Sequence, residues 1–227
     1  EMNALKTQQF RWNKGAAECV RKNLGAVLHS KDIDFGTKLN AIFHLTNSAV
    51  FISIVILALL SIPILSIKNT FEEYQVLFLL ASAFLVILPI LALFYWTSMS
   101  QSYASKSKAF FHFIFLFPMF LAVSMGLSLH NAMAVLEGYL GKKSAFIRTP
   151  KFNLNNDKSK KWGTNVYLKR KINPITILEV ALTLYFIGGI LLGFYYGDFG
   201  LMPFHAMLVL GFGYVSFYSI SHSFRTE

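Results

Sequence analysis

A run of 21 residues without a charge, Val76 to Trp96, constrains this chain more than any other stretch. At about 1.5 Å per residue, a helix of that length covers a bilayer core of about 30 Å. Tyr95 and Trp96 suit the aromatic belt at its end, and Pro89 is a candidate kink. Three further runs read as spans: His44–Ile67, Ile175–Tyr196 and Leu201–Ile220, the last two joined by the short turn Gly197-Asp198-Phe199-Gly200. With 55% hydrophobic and 14% charged residues over 227 positions, the chain carries too little charge for a soluble domain of this length. The expected class is all-α and polytopic, with four transmembrane helices plus interfacial amphipathic helices.

Charge then orients the spans. Residues 142–171 hold ten basic side chains and one acidic one, Asp157, or +9 of the +10 carried by the whole chain. Such a block belongs on the cytosolic side, as does the region of Arg11, Lys14, Arg21 and Lys22. The connectors at Glu72–Glu73 and Asp198 are then external. The first two spans go out and back, which returns Lys106 and Lys108 to the cytosol, and the last two do the same. This leaves 109–141 with both ends cytosolic. It is long and apolar enough to span up to Leu129, and it continues as a helical pattern to Gly141. It is therefore a hairpin, a re-entrant segment or an interfacial helix, with Pro118 and Gly126 as candidate break points. The chain divides into 1–40, 41–108, 109–141, a basic loop at 142–171, and a second transmembrane pair in 172–227.

Lys14 to His29 reads as an amphipathic helix, with Val20, Leu24, Val27 and Leu28 on one face and Arg21 and Lys22 on another. Beside a membrane span such a helix lies in the interface, although packing on a soluble domain fits the same pattern. Ser30–Asn40 is polar and reads as a turn. Thr46, Asn47, Ser48 and Ser53 stud the start of the first span. They serve either to bond neighbouring helices or to line a polar path. Glu179 is either an ion or substrate site or a carboxylate close enough to the interface to reach water. Gly188, Gly189, Gly193 and Gly197 suit close helix packing. The single cysteine, Cys19, excludes an internal disulfide, and the six histidines show no pair at metal-ligand spacing on one helix face.

Chemistry concentrates at the other end. Gln8, Arg11 and Trp12 sit at i, i+3 and i+4, so on a helix they share one face. Arg clamps a phosphate oxygen pair through parallel N–H donors. An indole offers a flat surface for the C–H face of a sugar, and Gln supplies a donor and an acceptor. A surface helix with one buried Trp fits the same spacing.

Gln8-Gln9-Phe10-Arg11-Trp12-Asn13-Lys14-Gly15 resembles the Gln-x-x-Arg-Trp signature of processive-type family 2 glycosyltransferases, which include cellulose, hyaluronan and plant mannan synthases. The resemblance implies that Arg11 faces the diphosphate, that Trp12 lies under the acceptor sugar, and that Gln8 adjoins them. After Gly141, the residues Phe146, Thr149 and Lys151 match a gating-loop pattern Phe-x-Val-Thr-x-Lys, with Arg148 standing where the pattern has Val. The resemblance further implies an inverting transfer of sugar from a nucleotide diphosphate donor to a glycan or lipid acceptor, as in polysaccharide synthesis. The catalytic aspartates and the divalent metal (Mg or Mn) would lie in an N-terminal catalytic domain outside this chain. Asp32-Ile33-Asp34 has the Asp-x-Asp spacing, but it follows Gln-x-x-Arg-Trp where the resemblance puts the metal motif before it, so it is not taken as that motif, and no Thr-Glu-Asp motif is formed by Glu1, Asp32 or Asp34. The chain is thus expected to be the C-terminal part of a longer polypeptide, without catalytic or metal-binding residues of its own. It would sit in the plasma (cytoplasmic) membrane with both ends cytosolic. The lipid bilayer and the missing domain are its partners, and nucleic acid is not. A non-enzymatic multispan protein, a transporter subunit or scaffold, is the alternative that four spans and a basic loop also fit.

Overall fold

The computed structural model describes residues 2–143 and 173–224. Among these residues the protein is all-helical: α1 (Met2–His29), α2 (Phe35–Thr46), α3 (Val50–Thr70), α4 (Gln75–Ser82), α5 (Ile87–Ser100), α6 (Lys106–Gly126), α7 (Ser128–Tyr139), α8 (Pro174–Tyr196) and α9 (Met202–Phe224). Five stretches are long and apolar enough to cross a bilayer: Phe35–Thr70, Gln75–Ser100, Lys106–Gly126, Pro174–Tyr196 and Met202–Phe224. The chain is a polytopic helical membrane protein.

Helices α8 and α9 form an antiparallel pair. Asn173 caps α8 by accepting from the Ile175 amide, with Pro174 in the first turn, where its missing N–H costs nothing. Gly197 ends α8 in the left-handed region at φ +66°, a conformation that an L side chain resists. Asp198 then accepts from the Gly200 amide at 3.0 Å and from Lys68 at 2.7 Å, tying this turn to the end of α3. Phe186 stacks on Phe212 at 5.7 Å, and both pack with Leu208 and Ala58 in the core of the bundle.

Proline shapes two of the apolar helices. Pro63 lies inside α3 and leaves the carbonyl of Leu59 without its helical donor. The Tyr185 hydroxyl on α8 donates to that carbonyl at 2.7 Å. Between α4 and α5 the helix tightens to a 3-10 turn over Ala83–Val86. Pro89 lies four residues beyond Leu85 in that turn, so the irregularity falls where the ring displaces the i−4 carbonyl.

The polar stretch read as a turn at 30–40 is shorter than expected. Asp34 caps α2 through the Thr37 amide at 3.0 Å, so the helix begins at Phe35 and runs through a 3-10 turn at Asn47–Ala49 into α3. The segment 109–141 is two helices, α6 and α7, meeting at Gly126–Ser128. Pro118 stays inside α6 and does not break it.

The two ends of the described chain meet. The Met2 amide donates to His222 Nδ1 at 3.1 Å, and Asn3 Nδ2 donates to Ser223 Oγ at 3.2 Å. This α1 end lies opposite the Lys68–Asp198 turn end. The chain stands at the turn end at Phe71. By Leu127 it is back at the α1 end, where Leu127 packs with Met2 and Val215. Between these points lie two span-length segments, 75–100 and 106–126. Two crossings between them would return the chain to the turn end, and one would leave it on the α1 side.

Candidate functional site

The residues expected to carry chemistry lie on α1. Its inward face buries Met2, Lys6, Asn13, Lys14, Ala17 and Val20 against the rest of the protein. Gln8 and Arg11 are half-buried at the edge of that face, with Arg11 Nε shielded from solvent. Trp12 is 60% exposed, so its indole face is available to a ligand or to another domain. The three share one helix and one side, and the simpler picture of a Trp buried in a surface helix does not hold.

Charged contacts hold α1 in place. Lys6 Nζ donates to Glu179 Oε2 on α8 at 2.6 Å, with both side chains buried. Burial pushes the Lys6 ammonium below its ordinary value, and the neighbouring Glu179 opposes that shift. The expectation that Glu179 reaches water is overturned: its side chain is fully enclosed, because α1 lies over the end of α8 and supplies a cation instead. One turn further along α1, His130 Nε2 on α7 bonds the Lys6 carbonyl at 3.0 Å, and its ring packs 5.4 Å from that of Phe10.

Lys14 repeats the arrangement. Its ammonium is 3.0 Å from Glu137 Oε2 on α7, while Lys142 takes Glu137 Oε1 at 2.6 Å. The Lys142 bond, followed by the Lys14 contacts, holds the Glu137 carboxyl below its ordinary value. Gly138 meets α1 so closely that a β-carbon there would clash with Ala17 and with the Lys14 carbonyl. At Gly141, φ is +69° and the Arg21 guanidinium lies against the α-carbon. The start of the basic segment is thus bound to α1. Phe146, Thr149 and Lys151 lie outside the described residues.

Inside the bundle, Ser61 Oγ on α3 is 2.9 Å from His205 Nε2 on α9, with both residues buried. Gly189 leaves room for that imidazole, and Gly193 for the Asp198 carbonyl, so both make close approaches. Gly188 faces open space, and Gly197 serves as the cap described above. Of the polar residues at the start of the first span, Ser48 is buried and Asn47 is exposed. Thr46 bonds back to Ile42 within its own helix, and Ser53 is exposed. The sequence reading did not single out Ser61, His205, Lys6 or Glu137. The signal available was a polar or charged residue on an otherwise apolar helix face.

Among the described residues, no group of three or more His, Cys, Asp or Glu side chains is placed to hold a metal ion. Comparison with protein-family models, curated proteins and solved structures finds no match for this chain.

Proposed function

We propose that this chain is the membrane-embedded C-terminal part of an inverting glycosyltransferase, one that passes a sugar from a nucleotide diphosphate donor to a glycan or lipid acceptor. One observation carries the reading. An amide, a guanidinium and an exposed indole stand together on a helix whose opposite face is fixed by two buried lysines to the membrane bundle. Such a helix is both immobile and open, as a wall for donor and acceptor has to be. Arg11 would neutralise the departing diphosphate through its planar fork, Trp12 would support the acceptor ring, and Gln8 would hydrogen-bond between them. Thr149 and Lys151, with Phe146, would add a second contact from the basic segment. The general base and the carboxylates for a divalent metal would come from a domain outside this chain: among the described residues no group of three or more His, Cys, Asp or Glu side chains is placed to hold a metal ion, and Asp34 caps α2. The membrane would be the cytoplasmic one, with α1 on the cytosolic side.

The test is Arg11→Lys in the full-length protein, assayed in membranes at equal protein level with UDP-glucose, UDP-N-acetylglucosamine and GDP-mannose. Lys keeps the charge and loses the fork. Transfer is expected to fall by roughly 10²-fold or more, the scale for removing one positioned donor, with membrane insertion unchanged. Turnover close to that of the unsubstituted protein would reject a diphosphate role for Arg11.

A further inference from the structure

A buried ion pair is a poor device for stability alone, because well-packed apolar side chains of similar volume often hold a fold as well. Its best-attested use is to fix one register among several. The contact between α1 and the bundle needs such a device. On α7, Gly138 approaches Ala17 and the Lys14 carbonyl closely, whereas the buried apolar side chains of the inward face, Met2, Ala17 and Val20, are small or flexible. Lys6 and Lys14 stand eight residues apart, a little over two helical turns, and so lie on the same side. They reach carboxylates on two different elements, Glu179 on α8 and Glu137 on α7. A slide of α1 by one turn would set Phe10 against Glu179 and leave a carboxylate enclosed without a cation. Glu179 has no spare partner: its Oε1 has no hydrogen bond among the described residues, and Oε2 is held by Lys6.

We propose that the Lys6–Glu179 pair is a positioning lock. It fixes the register of α1 on α8 and thereby the places of Gln8, Arg11 and Trp12, two to six residues further along the same rigid helix. The lock itself stands on the packing alone, and its catalytic consequence rests on the sugar-transfer reading.

The experiment reads the lock and its consequence separately, in the full-length protein. Asn3→Cys and Ser223→Cys, placed in a Cys19→Ser background, report docking of the α1 end through the rate of cross-linking by a short thiol reagent. Their side chains are 3.2 Å apart. Glu179→Gln and Lys6→Met are each expected to slow cross-linking by roughly tenfold or more, since removing one partner leaves the other enclosed and uncompensated. Exchanging the charges, Lys6→Glu with Glu179→Lys, is expected to restore the rate. Unchanged cross-linking in both single variants would overturn the lock.

Transfer from the same three nucleotide sugars is read in parallel. The single variants are expected to lower kcat by on the order of a hundredfold, the effect of misplacing a positioned group by about 1 Å, with donor KM little changed. The charge exchange is expected to bring kcat back. Slowed cross-linking with unchanged kcat would overturn the positioning role. Arg11→Lys in the same membranes separates the two ideas: wild-type transfer by that variant would reject the sugar-transfer reading of α1, and the cross-linking result would still decide the lock.

Discussion

The α8–α9 pair and the 75–100 helix are both apolar enough to cross a bilayer, yet they are built in different ways. In α8 and α9, glycine, serine and one histidine recur on the inward faces, and 22% and 39% of their most apolar windows are buried. The corresponding window of 75–100 is not buried at all. Most of its side chains are large and aliphatic or aromatic, and Leu77, Leu79, Leu85, Ile90 and Phe94 are exposed. Lipid is as apolar as leucine, so a uniformly bulky helix gains nothing by packing. Small residues allow backbones to approach, and polar ones bond across helices. Hydropathy thus marks where the membrane is, while small and polar residues mark which helices hold one another.

The sharpest test of that contrast is a pair of glycines. Gly211 on α9 meets the backbone of Ala122 and Gly126 on α6, and no β-carbon fits there without moving one helix. Gly188 on α8 faces open space. Gly211→Leu is expected to abolish the monodisperse folded species in detergent, because the obstacle is backbone and no rotamer relieves it. Gly188→Leu is expected to leave that species intact. Equal behaviour of the two variants, read by size-exclusion chromatography and thermal unfolding, would break the distinction between packed and lipid-facing helix faces.

The second test asks whether both 75–100 and α6 cross the membrane. Helices α5 and α6 run antiparallel, with Trp96 against Phe110 and Phe113 and Tyr95 against Phe117 and Phe120. Lys106 and Lys108 lie at their junction, and the positive-inside rule places that junction on the same side as α1. Segment 75–100 is then expected to cross, and α6, which ends against the middle of α9, is expected not to. A single cysteine at Ser105, in a Cys19→Ser background, is expected to be labelled by an impermeant maleimide from the same side as native Cys19, which is exposed on α1. Labelling from opposite faces would make α6 the crossing helix and leave 75–100 on the turn side.

Much of this architecture is legible residue by residue. The uncharged runs give the spans, Gly197 to Gly200 gives the turn, and the i, i+3, i+4 spacing places Gln8, Arg11 and Trp12 together. Long-range pairing is not legible in the same way. Glu179 reads as an interfacial carboxylate because hydropathy treats one helix at a time, and its partner Lys6 lies 173 positions earlier. Ser61 and His205 are equally unremarkable until α3 and α9 are side by side. Tyr185 has the same character. Its hydroxyl caps a carbonyl that Pro63 left without a donor, in lipid where water cannot substitute. Tyr185→Phe is expected to cost about 1–3 kcal/mol, the range for leaving an acceptor unsatisfied away from water, seen as a lowered midpoint in detergent unfolding. No change in midpoint would mean that the kinked helix satisfies the Leu59 carbonyl in another way.

The smallest effect is expected at the turn end. Asp198 is held below its ordinary value of 3.8, first by the Lys68 hydrogen bond and then by the Gly200 amide and Asn69. A carboxyl whose folded value lies below its unfolded one binds more protons when unfolded. Its contribution is therefore fully present above the unfolded value and disappears as pH falls through the folded one. The window is thus pH 3.8 and below, well away from neutrality. Lys68 is 42% exposed, so solvent screens the pair and its worth is of the order of an exposed salt bridge, about 0.2–1 kcal/mol. Asp198→Asn is expected to lower the unfolding midpoint slightly at pH 7 and to match the unsubstituted protein in the acid limit, where Asp198 is itself neutral. A deficit that persists undiminished in acid would assign the role of Asp198 to its hydrogen bonds with Gly200 and Asn69 and not to its charge. The turn end would then be held by geometry alone, in contrast to the α1 end with its two enclosed lysines.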